Sequence, residues 1–492
     1  MTVNPKKLRP YDEPPKRRRT LIPETPDSAA TGFLVAAAVW FAIAAGIGAL
    51  GVLMRLAPFE ISFPLGVFDL SFQLGERRVD AAFWNAAVYG WLSNAGFAAL
   101  AFMTPRLVGR RLVAERGLNV AMAVWNLSVA GGVAALYVFD LGPNSPLTAF
   151  PWLIDGGLAL AALIVAGAFF GTVGAELRNA YVSTWFAAIA VLALLGLTGL
   201  MAVMGLLETF FDLPDLTVGL GSVFIGRALS VLWLLGMAFA ILHYVVPRAT
   251  GRPLASAGLA MLSWVTWLVL APLSALVVLQ DTSVPYVFTT LGAVGTMLLF
   301  LPAVLTAVNL WFSMQGRWSL LFGLGPAAFA AVALVFLLAT GLLDAIGALR
   351  SVDGLVRGTD WVDGAAIWTI FGTYTFAALA LSEHAIPRLM RRAWGGGALA
   401  GAQLWLTFAG ATLAGMFLMF SGLAEGTLMA SGTAAADITG QLVVYRAGAL
   451  AGMGLLALAG LAAVVNLFLA YTSGEPAEYA VPGSSAPAAA GH

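Results

Sequence analysis

The chain has 492 residues, of which 60% are hydrophobic and 10% charged, and its 25 basic and 25 acidic side chains cancel. Soluble domains carry about 25% charge, so this composition excludes a water-soluble globular fold and makes lipid the solvent. The chain has no cysteine and three histidines, His243, His384 and His492. That excludes disulfides, iron–sulfur clusters, thiolate copper sites and covalently attached haem, and it poorly supplies any chemistry that needs several imidazoles.

Residues 1–30 are polar and rich in Pro, Lys and Arg, including Lys16-Arg17-Arg18-Arg19. They cannot bury a core and are expected to form a disordered basic tail. Such a tail suits anionic lipid rather than nucleic acid. No cleavable signal peptide is expected, because the first apolar stretch exceeds the roughly 7–15 residues of a signal core. It reads as a retained helix. A bilayer-spanning helix needs about 20 apolar residues, and twelve such stretches follow: 31–55, 81–104, 117–139, 150–174, 181–207, 221–246, 257–280, 286–313, 319–344, 362–386, 400–423 and 441–472. The fold class is all-α, an integral membrane protein with a membrane domain over 31–472. Residues 473–492, rich in Ala, Gly, Ser and Pro, read as a flexible tail.

Orientation follows from Lys and Arg. With the N-terminus inside, the inner segments hold Lys6, Lys7, Arg9, Lys16 to Arg19, Arg106, Arg110, Arg111, Arg116, Arg178, Arg248, Arg252, Arg317, Arg388, Arg391 and Arg392, which is 18 of 25 basic residues. The outer loops hold acids such as Glu208, Asp212, Asp215 and Asp281. Both termini are therefore expected in the cytoplasm, and the expected location is a bacterial or archaeal inner membrane.

Three helices end alike. The second closes on Pro105-Arg106, the sixth on Pro247-Arg248 and the tenth on Pro387-Arg388, at spacings of 142 and 140 residues. Proline stops a helix, and arginine at the headgroup level suits both lipid phosphate and the helix C-terminus. The near-equal spacing predicts three four-helix arcs around a pseudo-threefold axis.

The sixth helix and its exit, Gly226-Arg227 through His243-Tyr244-Val245-Val246-Pro247-Arg248 to Gly251-Arg252-Pro253, resemble subunit I of cbb3-type cytochrome c oxidases, in the haem-copper oxidase superfamily. The family pattern, Gly-His, nineteen residues, then Pro-Lys-x-x-Gly-Arg-Pro, aligns here without a gap. Pro302, Asn309 and Gly316 match in the eighth helix. Thr359-Asp360-Trp361, Gly364 and Ile386-Pro387-Arg388-Leu389 match in the tenth. Asn85 and Asn94 match in the second, and Tyr445-Arg446 and Asn466 in the twelfth. The resemblance covers roughly residues 80–472 and implies twelve helices in three arcs.

The resemblance also implies two haems and one copper held by six histidines, and on this register each is replaced. The low-spin haem ligands fall on Phe83 and Ile367, and the proximal ligand of the oxygen-binding haem on Ala365. The copper ligands fall on Arg227 and on Leu273-Ser274 behind Pro272, and the redox tyrosine near Trp267. Haem iron needs an imidazole, thiolate, thioether or phenolate. Arginine is always protonated and offers copper no lone pair. No metal site, no cofactor and no catalytic residue is therefore expected. Oxygen reduction by the ordinary mechanism is excluded on this register, and an oxidase with unusual ligation is the last alternative.

His243 and His384 could jointly ligate one relocated haem b; the favoured reading makes them amphipathic interfacial side chains. Arg227 is a charge inside a span, hence a functional candidate. It could bind an anion, a quinone headgroup or a proton path in the vacated core, as a transporter or ligand-binding protein would. The favoured reading is an ion pair that plugs the core, with Asp363 as first partner and Asp155 as second. Arg446 is expected to serve packing or a former haem-propionate contact. Phe83 and Trp84 are expected to fill porphyrin volume; Trp91, Trp125, Trp233, Trp264, Trp267 and Trp368 read mostly as lipid-facing or interfacial. The expected role is a scaffold subunit of a respiratory complex, with metal-bearing partners such as a c-type cytochrome or a cupredoxin.

Overall fold

The computed structural model of the protein describes residues 22–66, 70–139, 146–211, 213–280, 282, 284–392 and 397–474. The basic tail through residue 21, the tail from 475 with His492, and Asp212 and Asp281 lie outside them.

Twelve helices are long and apolar enough to cross a bilayer: α1 (Ser28–Leu56), α2 (Glu76–Val108), α3 (Glu115–Ala135), α4 (Trp152–Asn179), α5 (Val182–Phe210), α6 (Asp215–Thr250), α7 (Ala257–Leu279), α8 (Tyr286–Ser313), α9 (Pro326–Gly347), α10 (Asp360–Met390), α11 (Ala398–Ala430) and α12 (Asp437–Thr472). Every predicted span is present. α1 starts at Ser28, so the end of the segment expected to be disordered is helical. α9 starts at Pro326 rather than 319, because Trp318–Phe322 form a 3-10 turn and proline is pre-organised for a first helical turn.

The loop after α1 holds strands that were not anticipated. β1 (Ile61–Pro64) pairs antiparallel with β2 (Ser71–Leu74), Ile61 opposite Leu74. Phe63 stacks on Phe72 at 5.0 Å, a cross-strand aromatic pair of the kind that stabilises hairpins. The alternation Ile61, Phe63 and Phe72, Leu74 was the available signal. The loop after α9 also contains a short helix, Arg350–Val356.

α2, α6 and α10 form the centre: 100%, 89% and 78% of their apolar windows are buried, against 28–50% for the other nine. The nine outer helices close around them because α12 packs along α1. The arcs are therefore α11–α12–α1–α2, α3–α6 and α7–α10, each ending in one inner helix.

Each inner helix contains a widened π segment, Ala86–Leu92, Leu229–Leu234 and Trp368–Tyr374. Widened turns loosen the hydrogen-bond ladder and leave carbonyls for side-chain donors. Indoles supply them at equivalent positions. Trp125 Nε1 donates to Tyr89 O at 2.8 Å and Trp267 Nε1 to Val231 O at 2.9 Å. The inner helices are then tied pairwise: Trp91 Nε1 to Thr375 Oγ1 at 2.8 Å, Trp233 Nε1 to Ser93 Oγ at 3.0 Å, and Tyr374 OH to Ser230 O at 3.1 Å. Trp91, Trp125, Trp233 and Trp267 are thus core residues at 0–2% exposure, not lipid-facing ones. A tryptophan in an inner-helix contact buries its ring and also satisfies its N–H.

The Pro-Arg exits also differ from expectation. Pro105, Pro247 and Pro387 lie inside the last turn, and each helix runs four residues further to a left-handed residue: Gly109, Gly251 and Arg391. The amide of that residue closes the turn on the proline carbonyl. The prolines mark the exits, and the left-handed residues end the helices.

Candidate functional site

Acids predominate at one end of the bundle, among them Glu60, Glu76, Asp80, Asp360, Asp363 and Glu425; arginines predominate at the other. At the acidic end, one arginine organises four carboxylates. Arg55, in the last turn of α1, lies 2.7 Å from Asp363, 2.8 Å from Asp80, 3.2 Å from Asp360 and 3.3 Å from Glu76. Arg446 of α12 donates Nε to Asp360 Oδ2 at 2.8 Å, and Ser421 Oγ of α11 donates to the same oxygen at 2.7 Å. The backbone N–H of Asp360 donates to Glu425 at 3.2 Å. This network binds α1, α2, α10, α11 and α12 together. Arg55 is 10% exposed and Asp360 8%, so the charges are held by one another rather than by water.

Directly beneath, Phe83 and Ile367 are buried at 5% and 2% exposure. Phe83 packs on Trp84 at 4.6 Å and stacks on Phe371 at 5.9 Å, and Phe371 continues to Phe41 at 6.1 Å. Gly48 lets the Phe83 ring approach α1, since a Cβ there would lie 2.6 Å from Phe83 Cε2. Between Arg55, Asp80, Phe83, Asp363, Ile367 and Met453 a cavity of about 20 Å³ remains, room for one water.

Arg227 pairs with neither predicted carboxylate. Its Nη2 donates to Asp344 Oδ2 of α9 at 2.8 Å. Asp363 lies on the face of α10 that meets α1, where Arg55 takes it, and Asp155 stays in α4 with Oδ1 buried and without a partner among the described residues. Helix rotation, which depth along a span cannot reveal, decided this. Below the Arg227–Asp344 pair is a second cavity of about 30 Å³, lined by Thr296, Thr340, Thr369, Thr373 and Tyr374. Ser274 is buried with its hydroxyl on Ala271 O at 2.9 Å, and Leu273 packs against Gly295. The Ala365 carbonyl accepts from Thr369 at 3.0 Å.

His243 and His384 are not interfacial; they are 0% and 4% exposed. His243 bonds through Nδ1 with Phe239 O at 2.8 Å, stacks on Phe186 of α5 at 5.3 Å, and has no partner for Nε2 among the described residues. Tyr181, whose phenol burial pushes up to about 12, donates to His243 O at 3.1 Å. His384 instead meets Phe102 and Tyr244 edge to face. The two rings belong to different packings.

Arg55, Asp80, Asp360 and Asp344 escaped the sequence reading as site residues. Arg55 and Asp344 were the final residues of predicted spans, and a charge at a span end looks like an ordinary headgroup anchor.

The profile of the family described as cytochrome c and quinol oxidase polypeptide I matches residues 28–455. The chain belongs to this family. It is similar to the Cbb3-type cytochrome c oxidase subunit CcoN1 of Stutzerimonas stutzeri, with 22% identity over 403 residues, 80% of this chain and 83% of that relative. A cryo-EM structure of a haem-copper terminal oxidase dimer shares the fold, with a TM-score of 0.72 and 16% identity over 93% of this chain and 88% of that one. As a polypeptide I family member, the protein is a multi-pass membrane chain of the subunit I type, the type its sixth and tenth helices resemble.

Proposed function

We propose that this chain is a non-catalytic subunit I-like protein, free of haem and copper, that acts as a membrane scaffold in a respiratory or electron-transfer complex. The observation that carries this is the packing at Phe83 and Ile367. Neither side chain can ligate iron, and the cavity of about 20 Å³ that they share with Met453 is the size of one water molecule. The other register positions agree: Arg227 is engaged by Asp344, while Leu273, Ser274 and Ala365 offer no imidazole. Among the described residues no cluster of three His, Cys, Asp or Glu side chains could hold a metal. Asp360 and Asp363 also give Arg55 and Arg446 protein carboxylates, where the family resemblance implies a haem propionate beside Arg446.

Metal-bearing partners, such as a c-type cytochrome or a cupredoxin, would then dock on the acidic face. The arginine-rich face and both termini lie in the cytoplasm of a bacterial or archaeal inner membrane under the positive-inside rule. A transporter or ligand-binding role at Arg227 is less favoured, because the adjoining cavity of about 30 Å³ admits water rather than a substrate. An oxidase with unusual ligation would need His243 and His384 to converge, and they face different neighbours.

The test is the absorption spectrum of the chain purified from its own membrane, reduced and oxidised. The expected result is no Soret band in the isolated chain and cytochrome absorbance only with co-purifying subunits. A stoichiometric Soret band in the isolated chain defeats the reading.

A further inference from the structure

The hairpin between α1 and α2 has two unlike faces. Its cross-strand pairs put Ile61, Leu74, Phe63 and Phe72 on one face and Ser62, Gln73, Pro64 and Ser71 on the other. Phe59 and Leu65 continue the apolar alternation at the two ends of β1. Phe59, Ile61, Phe63 and Leu65 are 38% to 48% exposed, although all are large apolar side chains. β1 carries no charge, and among the described residues no strand pairs with its outer edge. In water such an edge invites aggregation, which soluble proteins prevent with charged residues or a covering element.

The height of the hairpin is fixed by α3. This helix begins at Glu115, which accepts from the Ala29 N–H in the first turn of α1 at 3.0 Å. Its 21 residues span about 31 Å, close to the hydrocarbon thickness of about 30 Å. β2 is joined to the residues just past its end. Gln73 N–H donates to Tyr137 O at 2.8 Å, and Phe72 stacks on Tyr137 at 5.6 Å. Arg78, in the first turn of α2, donates to Leu136 O at 2.6 Å and to Phe139 O at 2.7 Å. The hairpin is therefore tied to the plane where hydrocarbon meets headgroups. Tyr137, Phe72 and Phe63 form one row of rings, and β1 at its outer end is exposed along its whole length.

We propose that this hairpin is a lipid-seated wing. Phe59, Ile61, Phe63 and Leu65 rest on the acyl chains of the leaflet at the acidic end, with Ser62 and Gln73 turned to water. Lipid is the occupant because the apolar face lies at the acyl boundary and offers a protein partner no charge to complement. Phe and Leu on one side with polar residues opposite is the pattern of segments that lie in the interface. The wing leads from Leu56, next to Arg55, to Glu76. Its seat therefore sets the height of the Arg55 network against the headgroups.

The chain has no cysteine, so one introduced cysteine carries a spin label at a single place. Phe59→Cys, Ile61→Cys and Ser62→Cys leave the Phe63–Phe72 stack intact. Each is labelled in the full chain, in nanodiscs of phosphatidylcholine, and its collisions with oxygen and with a water-soluble nickel chelate are compared. Leu127→Cys, at a side chain of α3 that is 74% exposed, provides the lipid reference. The expected oxygen-to-nickel ratio at Phe59 and Ile61 approaches that at Leu127 and stands severalfold above that at Ser62. Because two positions report on the apolar face, the test survives the loss of either variant. Nickel access at all three hairpin positions overturns the proposal and leaves the face open to a protein partner. Shielding of Phe59 and Ile61 from both reagents also overturns it, because a second protein surface then covers them.

Discussion

The two ends of the inner helices have followed opposite rules. At the arginine-rich end the three repeats remain nearly superposable: Pro105, Pro247 and Pro387, the arginine after each, and a ring three residues before each. At the acidic end the repeats have diverged. Arg55 gathers four carboxylates from two helices, whereas among the described residues Arg227 pairs with one carboxylate, Asp344. Helix exits are held by backbone geometry, which every arc needs equally. The opposite end holds whatever the core between the helices requires, and charges there are kept only as mutually satisfied groups.

The largest expected effect lies at the acidic end. Arg55→Leu would leave Asp80 and Asp363 without a counter-charge and remove one of two from Asp360. Breaking a buried pair by deleting one partner costs about 3 kcal/mol or more, read as a lower thermal midpoint in detergent. A loss under about 1 kcal/mol would mean that this network is as dispensable as an exposed ion pair.

Between the two ends, the π segments test how far the repeat extends. Trp125→Phe and Trp267→Phe each leave a carbonyl of an inner helix without its donor, at about 1–2 kcal/mol each. These positions are 142 residues apart, the spacing of the first two prolines. The corresponding position in the third arc is Thr407, whose hydroxyl bonds Gln403 O in its own helix at 2.7 Å. Thr407→Ala should therefore cost less than either tryptophan change. Three equal losses would make the arcs more alike than the structure has them.

The smallest effect is expected where the third exit departs from the first two. Arg391 holds φ 52° where Gly109 and Gly251 stand in the other arcs. Arg391→Gly should stabilise the chain by about 1 kcal/mol, since the left-handed region penalises a Cβ by about that amount. A destabilisation would show that the Arg391 side chain carries a contact outweighing its backbone strain.

The twelve spans, the orientation signal and the Pro-Arg repeat were legible in the sequence because each depends on residues close together along the chain. An apolar run, a basic loop and a proline near a helix end act through local desolvation and local backbone geometry. The family was legible for the same reason: Gly226 through Pro253 and Thr359 through Leu389 are short contiguous patterns. Which charges meet was not legible. Asp363 and Asp344 lie at similar depth, and only helix rotation and arc order send one to Arg55 and the other to Arg227. The burial of Trp91, Trp125, Trp233, Trp267, His243 and His384 was likewise a tertiary outcome. In spans that are apolar on every side, hydrophobicity no longer separates the lipid-facing side of a helix from the core. Only the packing of the three arcs around one axis decides which side is which.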